Sequence, residues 1–507
     1  MFAVFSPVIF FPLNARVRLP DIFSDNMILQ RGMEVPVWGW AAPEEKITVR
    51  FGETKVSAAA DNQGRWQVKL PAIKAGGPFK MTVKGSNMIT ICGILVGEVW
   101  LASGQSNMAM TMAGGIYNSS DECAAADYPQ IRFFNVPQIP SGIPLENAIG
   151  EWTVCTPKSV ISFSAAAYFF ARRIHRELNI PVAVISASVG GSFIEQWLAL
   201  PVFDRVPALA AKLESIKKAN RMYTKALPRA VDAIEEWAET SDDWVKHARS
   251  AIAAGKPLPP IPALPEHELT GRKMPTQLFN GMIHPLIPYS IRGLIWYQGE
   301  SNVGDGSKYY SDLMQGMIKD WRNFWGIEFS FYFVQPAPYR YGKRPDFLPL
   351  IWEAQNIVLS STPKTGMAVT TDVGELDNIH PGKKQEIGER LALWALAGDY
   401  GSKGIVYSGP LYKAMKVEGH KIRLKFDHTG GELVSRDGKP LSWFSIAGRD
   451  SNFIEAAAEI QGNDILVWSA KVKEPLAARF GWNQEAQPNL VNKAGLPASP
   501  FRTDSWQ

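Results

Sequence analysis

The sequence predicts an α/β protein: a central domain of alternating strands and helices, flanked by two β regions. Three observations carry this. From residue 94 to about residue 400, apolar strand-like runs alternate with helical segments. On either side the chain breaks into short alternating runs separated by turn signals. And 507 residues is too long for one ordinary domain.

The flanking region 16–93 contains VPVWGW, KITVRF, GRWQVKL and FKMTVKG, separated by PEE, DNQG and KAGG. This alternation predicts a small β sandwich. In region 94–400, strands ILVGEVWLA, PVAVISAS, IRGLIWY, FSFYFV and GMAVTT are interleaved with helical segments. Those begin at FSAAAYFFARRIHREL and end at KKQEIGERLALWALAG. Such alternation predicts a mostly parallel sheet with helices on both faces, a form in which function gathers at the carboxyl ends of strands. Residues 201–274 interrupt it with charged helical runs and the proline-rich GKPLPPIPALPEHEL, a stiff connector. We read them as an insertion, either a lid over the site or a peripheral bundle. Region 401–507 returns to β with GIVYSGP, KIRLKF, FSIAG, DILVWSA and ARFGW.

The formal net charge of +4, from 53 basic and 49 acidic residues, gives no electrostatic case for nucleic acid or a membrane surface. The 17 tryptophans read mainly as core or domain seam, although aromatic faces also stack on sugars. Three cysteines, Cys92, Cys123 and Cys155, allow one disulfide but form no CxxC pair and no zinc-spaced cluster. Residues 1–15, MFAVFSPVIFFPLNA, are apolar and end in a small residue ahead of charged RVRLP. This suggests an export signal and a secreted or periplasmic protein. The competing reading is a buried N-terminal strand in a cytoplasmic one. No run reaches the roughly 18 uncharged apolar residues of a spanning helix.

Four polar, glycine-bearing stretches follow strands of the central domain: SGQSNM (103–108), SVGGSFIEQW (188–197), YQGESN (297–302) and TDVGELDNIHPGKKQ (371–385). Ser106 is the candidate nucleophile, and a serine needs a base that is itself oriented. Of seven histidines, His175 and His247 lie in charged helical stretches, His267 in the connector, and His420 and His428 in the C-terminal β region. His284 has no carboxylate within ten residues. His380 has Asp377 three residues ahead, which one helical turn would place on the same side. Asp372, Asp377 and His380 also compose a weaker candidate metal set. Oxyanion donors would come from the Ser106 amide, the Gly190–Gly191 turn and the Asn302 side chain. Gln105, Glu195, Trp197, Gln298 and Glu300 adjoin these motifs, either as sugar contacts or as braces. Met108 rules out the G-x-S-x-G elbow.

Together these motifs resemble the sialate O-acetylesterase family, within the SGNH hydrolase superfamily. The resemblance runs from LPDIFSDNMILQRGMEVPVWGWA through GQSNM, GGSFIEQW, LFNGMIHPLIPYSIRGLIWYQGESN and DNIHPGKK to AGLPASPFRTDSW. It implies a flavodoxin-like, three-layer α/β/α hydrolase domain. It also implies a metal-independent esterase without cofactor that removes acetyl groups from O-acetylated carbohydrate. Carried over, Ser106 is the nucleophile, Gly190 or Gly191 and Asn302 are oxyanion donors, His380 is the base and Asp377 the acid. Asn378 stands where the family pattern places the acid, and Asp377 takes the spacing of the wider superfamily. His284 replaces a small residue, as a wall of the site or incidentally. Two alternatives remain: an acetylxylan or xyloglucan esterase of the same superfamily, and a non-catalytic glycan-binding protein.

Overall fold

The structure is a computed structural model that describes residues 16–206, 209–263, 274–342 and 344–506. Segment 1–15 and His267 lie outside the described residues.

At the centre is a sheet whose strands we number β1 (Met88–Gly104), β2 (Tyr128–Asn135), β3 (Trp152–Cys155), β4 (Val182–Ser188), β5 (Gly293–Tyr297), β6 (Ser330–Val334) and β7 (Thr365–Ala368). Their spatial order is β7-β6-β5-β1-β4-β2-β3. All neighbours run parallel except the edge strand β3, which is antiparallel to β2. The sheet is therefore mixed. The expectation had omitted β2 and β3.

The strands read as nearly continuous apolar runs because both faces are covered. Alternate residues of each strand join different cores. Trp100, Ala102, Val182, Val184, Ile295 and Tyr297 face α2 (Ala165–Leu178) and a late helix, α6 (Lys384–Gly398). Val99, Leu101, Ala183, Ile185, Leu294 and Trp296 face α4 (Tyr310–Trp325) and α5 (Phe347–Ser361). Trp100, Trp197, Trp296, Trp321 and Trp352 are fully buried, as the core reading of tryptophan requires.

β1 crosses the expected boundary at residue 93. Its first half pairs with Gly76–Lys84 of the N-terminal β region, and its second half forms the centre of the main sheet. At the crossing, the buried Glu98 carboxylate accepts hydrogen bonds from Gln30, Arg31 and Arg292. The N-terminal β region is thus fastened to the central sheet by a shared strand and a buried ion cluster.

The two helical runs expected in the insertion form one helix, α3 (Ala210–Ala253), which continues through Pro228. Strong helix formers dominate the turns on both sides of the proline. The proline-rich connector runs back along α3, where Trp244 and Trp237 donate to the carbonyls of Pro259 and Pro262 (3.0 and 3.2 Å). Among the described residues the C-terminal region holds two four-stranded sheets and a two-stranded one around a core of its own. Its tail reaches the α/β region through Ser499 to Asn356 and Arg502 to Glu353. GIVYSGP, expected as a strand, carries no ladder. The three cysteines are free.

Candidate active site

The carboxyl ends of β4, β1 and β5 are in register: Gly104 stands beside Ser188 on one side and Tyr297 on the other. The chain then turns sharply. Gln105 N–H donates to the Tyr297 carbonyl (2.9 Å), and Val189 N–H donates to the Gly104 carbonyl (3.0 Å). Gly104 has φ +139, and a Cβ there would lie 2.1 Å from the Tyr297 oxygen. No side chain fits, so the glycine ahead of the serine is a steric requirement of the turn.

The turn delivers Ser106 to the first position of a four-residue helix, α1 (Ser106–Ala109). The Ser106 hydroxyl lies 2.8 Å from His380 Nε2. Both line an open cleft of about 620 Å³ with Ala109, Met110, Gly114, Gly115, Gln138, Gly190 and Asn378. Burial, and then the nearby Lys384 charge, hold the His380 pKa below the ordinary value. Its ring is thereby kept neutral and able to accept a proton near pH 7.

Gly190 approaches closely: a Cβ built on it would sit 3.6 Å from Ser106 Cβ. The amides of Ser106 and Gly190 have no hydrogen-bond partner among the described residues. Gly191 has φ +70 and makes the turn. Asn302 is buried. Its Oδ1 accepts from Ile194 N–H (3.1 Å) and Gln298 (2.8 Å), and its Nδ2 donates to Glu195 (3.0 Å). One Nδ2 hydrogen remains beyond that bond.

The residues beside the motifs are held in hydrogen bonds within the protein. Gln105 Oε1 accepts from Ser301 N–H and from Gln298 (both 3.2 Å), tying the serine turn to the GES loop. Gln298 is fully buried and accepts from Tyr310. Trp197, fully buried, donates to Ser192 (3.0 Å). Glu300 accepts from Asn107 and is buried. His284 donates to the Leu145 carbonyl (2.7 Å) and lines a different cleft, with Trp38, Trp40 and Glu146.

Asp377 is the correction. Its carboxylate pairs with Arg340 at 2.6 Å, and its side chain is 84% exposed. The expected contact with His380 presumed a helical turn over 377–380. Instead, Glu375–Asn378 forms a tight turn, and α6 begins only at Lys384. The proline after His380 disfavours the helical region at that residue. No protein group reaches His380 Nδ1 among the described residues. Asp372 is bound bidentately by Arg390, and no group of three or more metal-ligating side chains stands together among the described residues.

Two residues escaped the sequence reading. Asn107, inside GQSNM, bonds Glu300, the Ile379 carbonyl and Lys384. Lys384 is fully buried in the first turn of α6. A cation there opposes the helix dipole, and that conflict was the available signal.

A serine and histidine brought together at the carboxyl edge of an α/β sheet equip a protein for ester hydrolysis. The chain is similar over its whole length to a carbohydrate acetylesterase from Xanthomonas citri. The two share 34% identity with a TM-score of 0.81, covering 97% of this chain and 100% of that one. It is also 27% identical to the mouse sialate O-acetylesterase, over 96% of this chain and 94% of that protein. With the human sialate O-acetylesterase it shares 28% identity over 96% of this chain and 92% of that protein. No protein-family model matches. The class is that of the carbohydrate esterases. Within it, the chain is similar to the sialate O-acetylesterases of mouse and human.

Proposed function

We propose that the protein is an SGNH-type serine esterase that releases acetate from O-acetylated sugars, with Ser106 as nucleophile and His380 as base. The observation that carries this is the 2.8 Å approach of His380 Nε2 to the Ser106 hydroxyl at the floor of an open cleft. Without β2 and β3, the sheet order is that of a flavodoxin-like domain, which supports the superfamily assignment.

In the first step Ser106 Oγ attacks the acetyl carbonyl while His380 Nε2 takes its proton. The oxyanion forms beside the amides of Ser106 and Gly190 and the second Nδ2 hydrogen of Asn302. The tetrahedral intermediate collapses, and the sugar oxygen leaves with the proton from His380. In the second step a water, deprotonated by His380, attacks the acetyl-serine. Acetate leaves, and Ser106 recovers its proton. Glu195 holds the Asn302 amide, and Gln105 and Gln298 hold the loops that carry the donors. Every step uses groups of the chain and water alone.

The substrate is an acetylated carbohydrate. The names of the mammalian relatives favour sialic acid esters, and a bacterial relative is named only as a carbohydrate acetylesterase. The apolar residues 1–15 favour export. Among the described residues no helix is long and apolar enough to cross a membrane. Acetate release from acetylated sialoglycans and from acetylated xylan, measured in parallel with wild type and Ser106→Ala, tests the reading. Wild-type turnover of at least one substrate and none in the variant is expected. Full activity in Ser106→Ala would sink it.

A further inference from the structure

His380 meets the nucleophile through Nε2, yet no carboxylate stands on its Nδ1 among the described residues. Something else must hold the histidine in place, because a displacement near 1 Å costs about 100-fold in rate. The backbone on either side of His380 is clamped. The Ile379 carbonyl accepts from Asn107 Nδ2 at 3.0 Å, and the Pro381 carbonyl accepts from Lys384 Nζ at 2.9 Å. The two clamps are joined, since Lys384 Nζ also donates to Asn107 Oδ1 at 2.6 Å. Asn107 follows the nucleophile directly in sequence, and its Nδ2 also donates to the buried Glu300.

We propose that Lys384 is a positioning residue for the acyl transfer: through Asn107 and the Pro381 carbonyl it fixes the histidine loop against Ser106, in place of a carboxylate on Nδ1. The inference rests on the assignment of Ser106 and His380 above. A fully buried lysine in the first turn of a helix is costly in both desolvation and dipole terms. Its Nζ nevertheless makes two hydrogen bonds, with the Tyr297 ring centroid 5.3 Å away.

Charged groups bear on Lys384 from the loop after β5 (Glu300) and from the loop ahead of α6 (Glu375). Burial lowers the Lys384 pKa to about 7, against the pull of those two carboxylates, and burial raises that of Glu300. Lys384 is thus cationic below about pH 7, in the range where His380 titrates. There it helps to hold His380 neutral. A lysine that only filled space would not move that titration.

The test is Lys384→Met, which keeps the stem and removes the donors and the charge. Folding is checked by thermal melting, and the pH profile of kcat/KM is measured on an acetyl ester. We expect kcat to fall roughly ten- to hundredfold with KM within about twofold. The acid limb should move to higher pH. Lys384→Gln, which restores a neutral donor, should regain part of kcat and keep the displaced limb. Wild-type kcat with an unmoved limb in Lys384→Met overturns the proposal. Should that variant fail to fold, an unmoved limb in Lys384→Gln does the same. Loss of the underlying assignment reads out separately, as activity surviving in Ser106→Ala.

Discussion

Ser106 sits at the end of a strand laddered on both sides, whereas His380 sits in a loop held chiefly by side chains. The serine turn is fixed by backbone bonds to Tyr297 and Val189 and by a glycine that tolerates no Cβ. The histidine loop has a tight turn, a proline, and side-chain bonds from Asn378, Asn107 and Lys384. Backbone pairing between neighbouring strands fixes the first half of the site. Side chains from distant elements fix the second. The contrast locates where substitutions should be catastrophic, where they should be graded, and where they should be silent.

The largest effect belongs to the contact between the halves. His380→Ala removes the proposed base and should lower kcat for acetate release by a factor on the order of 10⁴ or more. A loss under about tenfold would mean that another group takes the Ser106 proton.

Next comes the serine half's oxyanion support. Asn302→Ala should cost about 3 kcal/mol in the barrier, seen in kcat more than in KM. The same change strips partners from Ile194 N–H, Gln298 and Glu195, so a lower melting temperature should accompany it. Unchanged kcat in a destabilised variant would assign Asn302 to structure alone and leave the backbone amides as the donors.

A paired comparison inside the histidine half is sharper still. Asp377→Asn should change kcat by less than about threefold, because this exposed carboxylate bonds Arg340 and makes no contact with His380. Asp372→Asn breaks a bidentate pair with Arg390 in which both side chains are only 11% exposed. It should reduce thermal stability by a few kcal/mol. A large kcat loss at Asp377 with normal stability would return that residue to the role of orienting acid.

The same division explains what the sequence disclosed. The alternation of strands and helices, the glycine-bearing strand ends and the meeting of Ser106 with His380 were legible, because strand-end chemistry follows from local pattern. Asp377 does not meet His380 because the Asp-x-x-His reading needs a helical turn, whereas 375–378 forms a tight turn and the helix begins only at Lys384. Pairing of β2 with β3 and the continuity of α3 through Pro228 depend on partners distant in sequence. Lys384 carried a faint signal, a cation at the wrong end of a helix. Its purpose lies in Asn107, 277 positions away along the chain.

The smallest expected effect concerns pH. His380 is half-buried near a lysine, and both burial and that charge disfavour its protonated form. A lowered folded-state pKa means that the imidazole stays neutral to lower pH than a free histidine, whose value is about 6.5. The competent form is the neutral one, so kcat/KM should reach half of its plateau on acidification only below pH 6.5. Raised ionic strength should move the limb little, since a lysine with no exposure is poorly screened. A profile already falling by half above pH 6.5 would show that the loop leaves His380 more open to water than its half-buried place implies. That would make the histidine half of the site looser than the serine half in function as well as in construction.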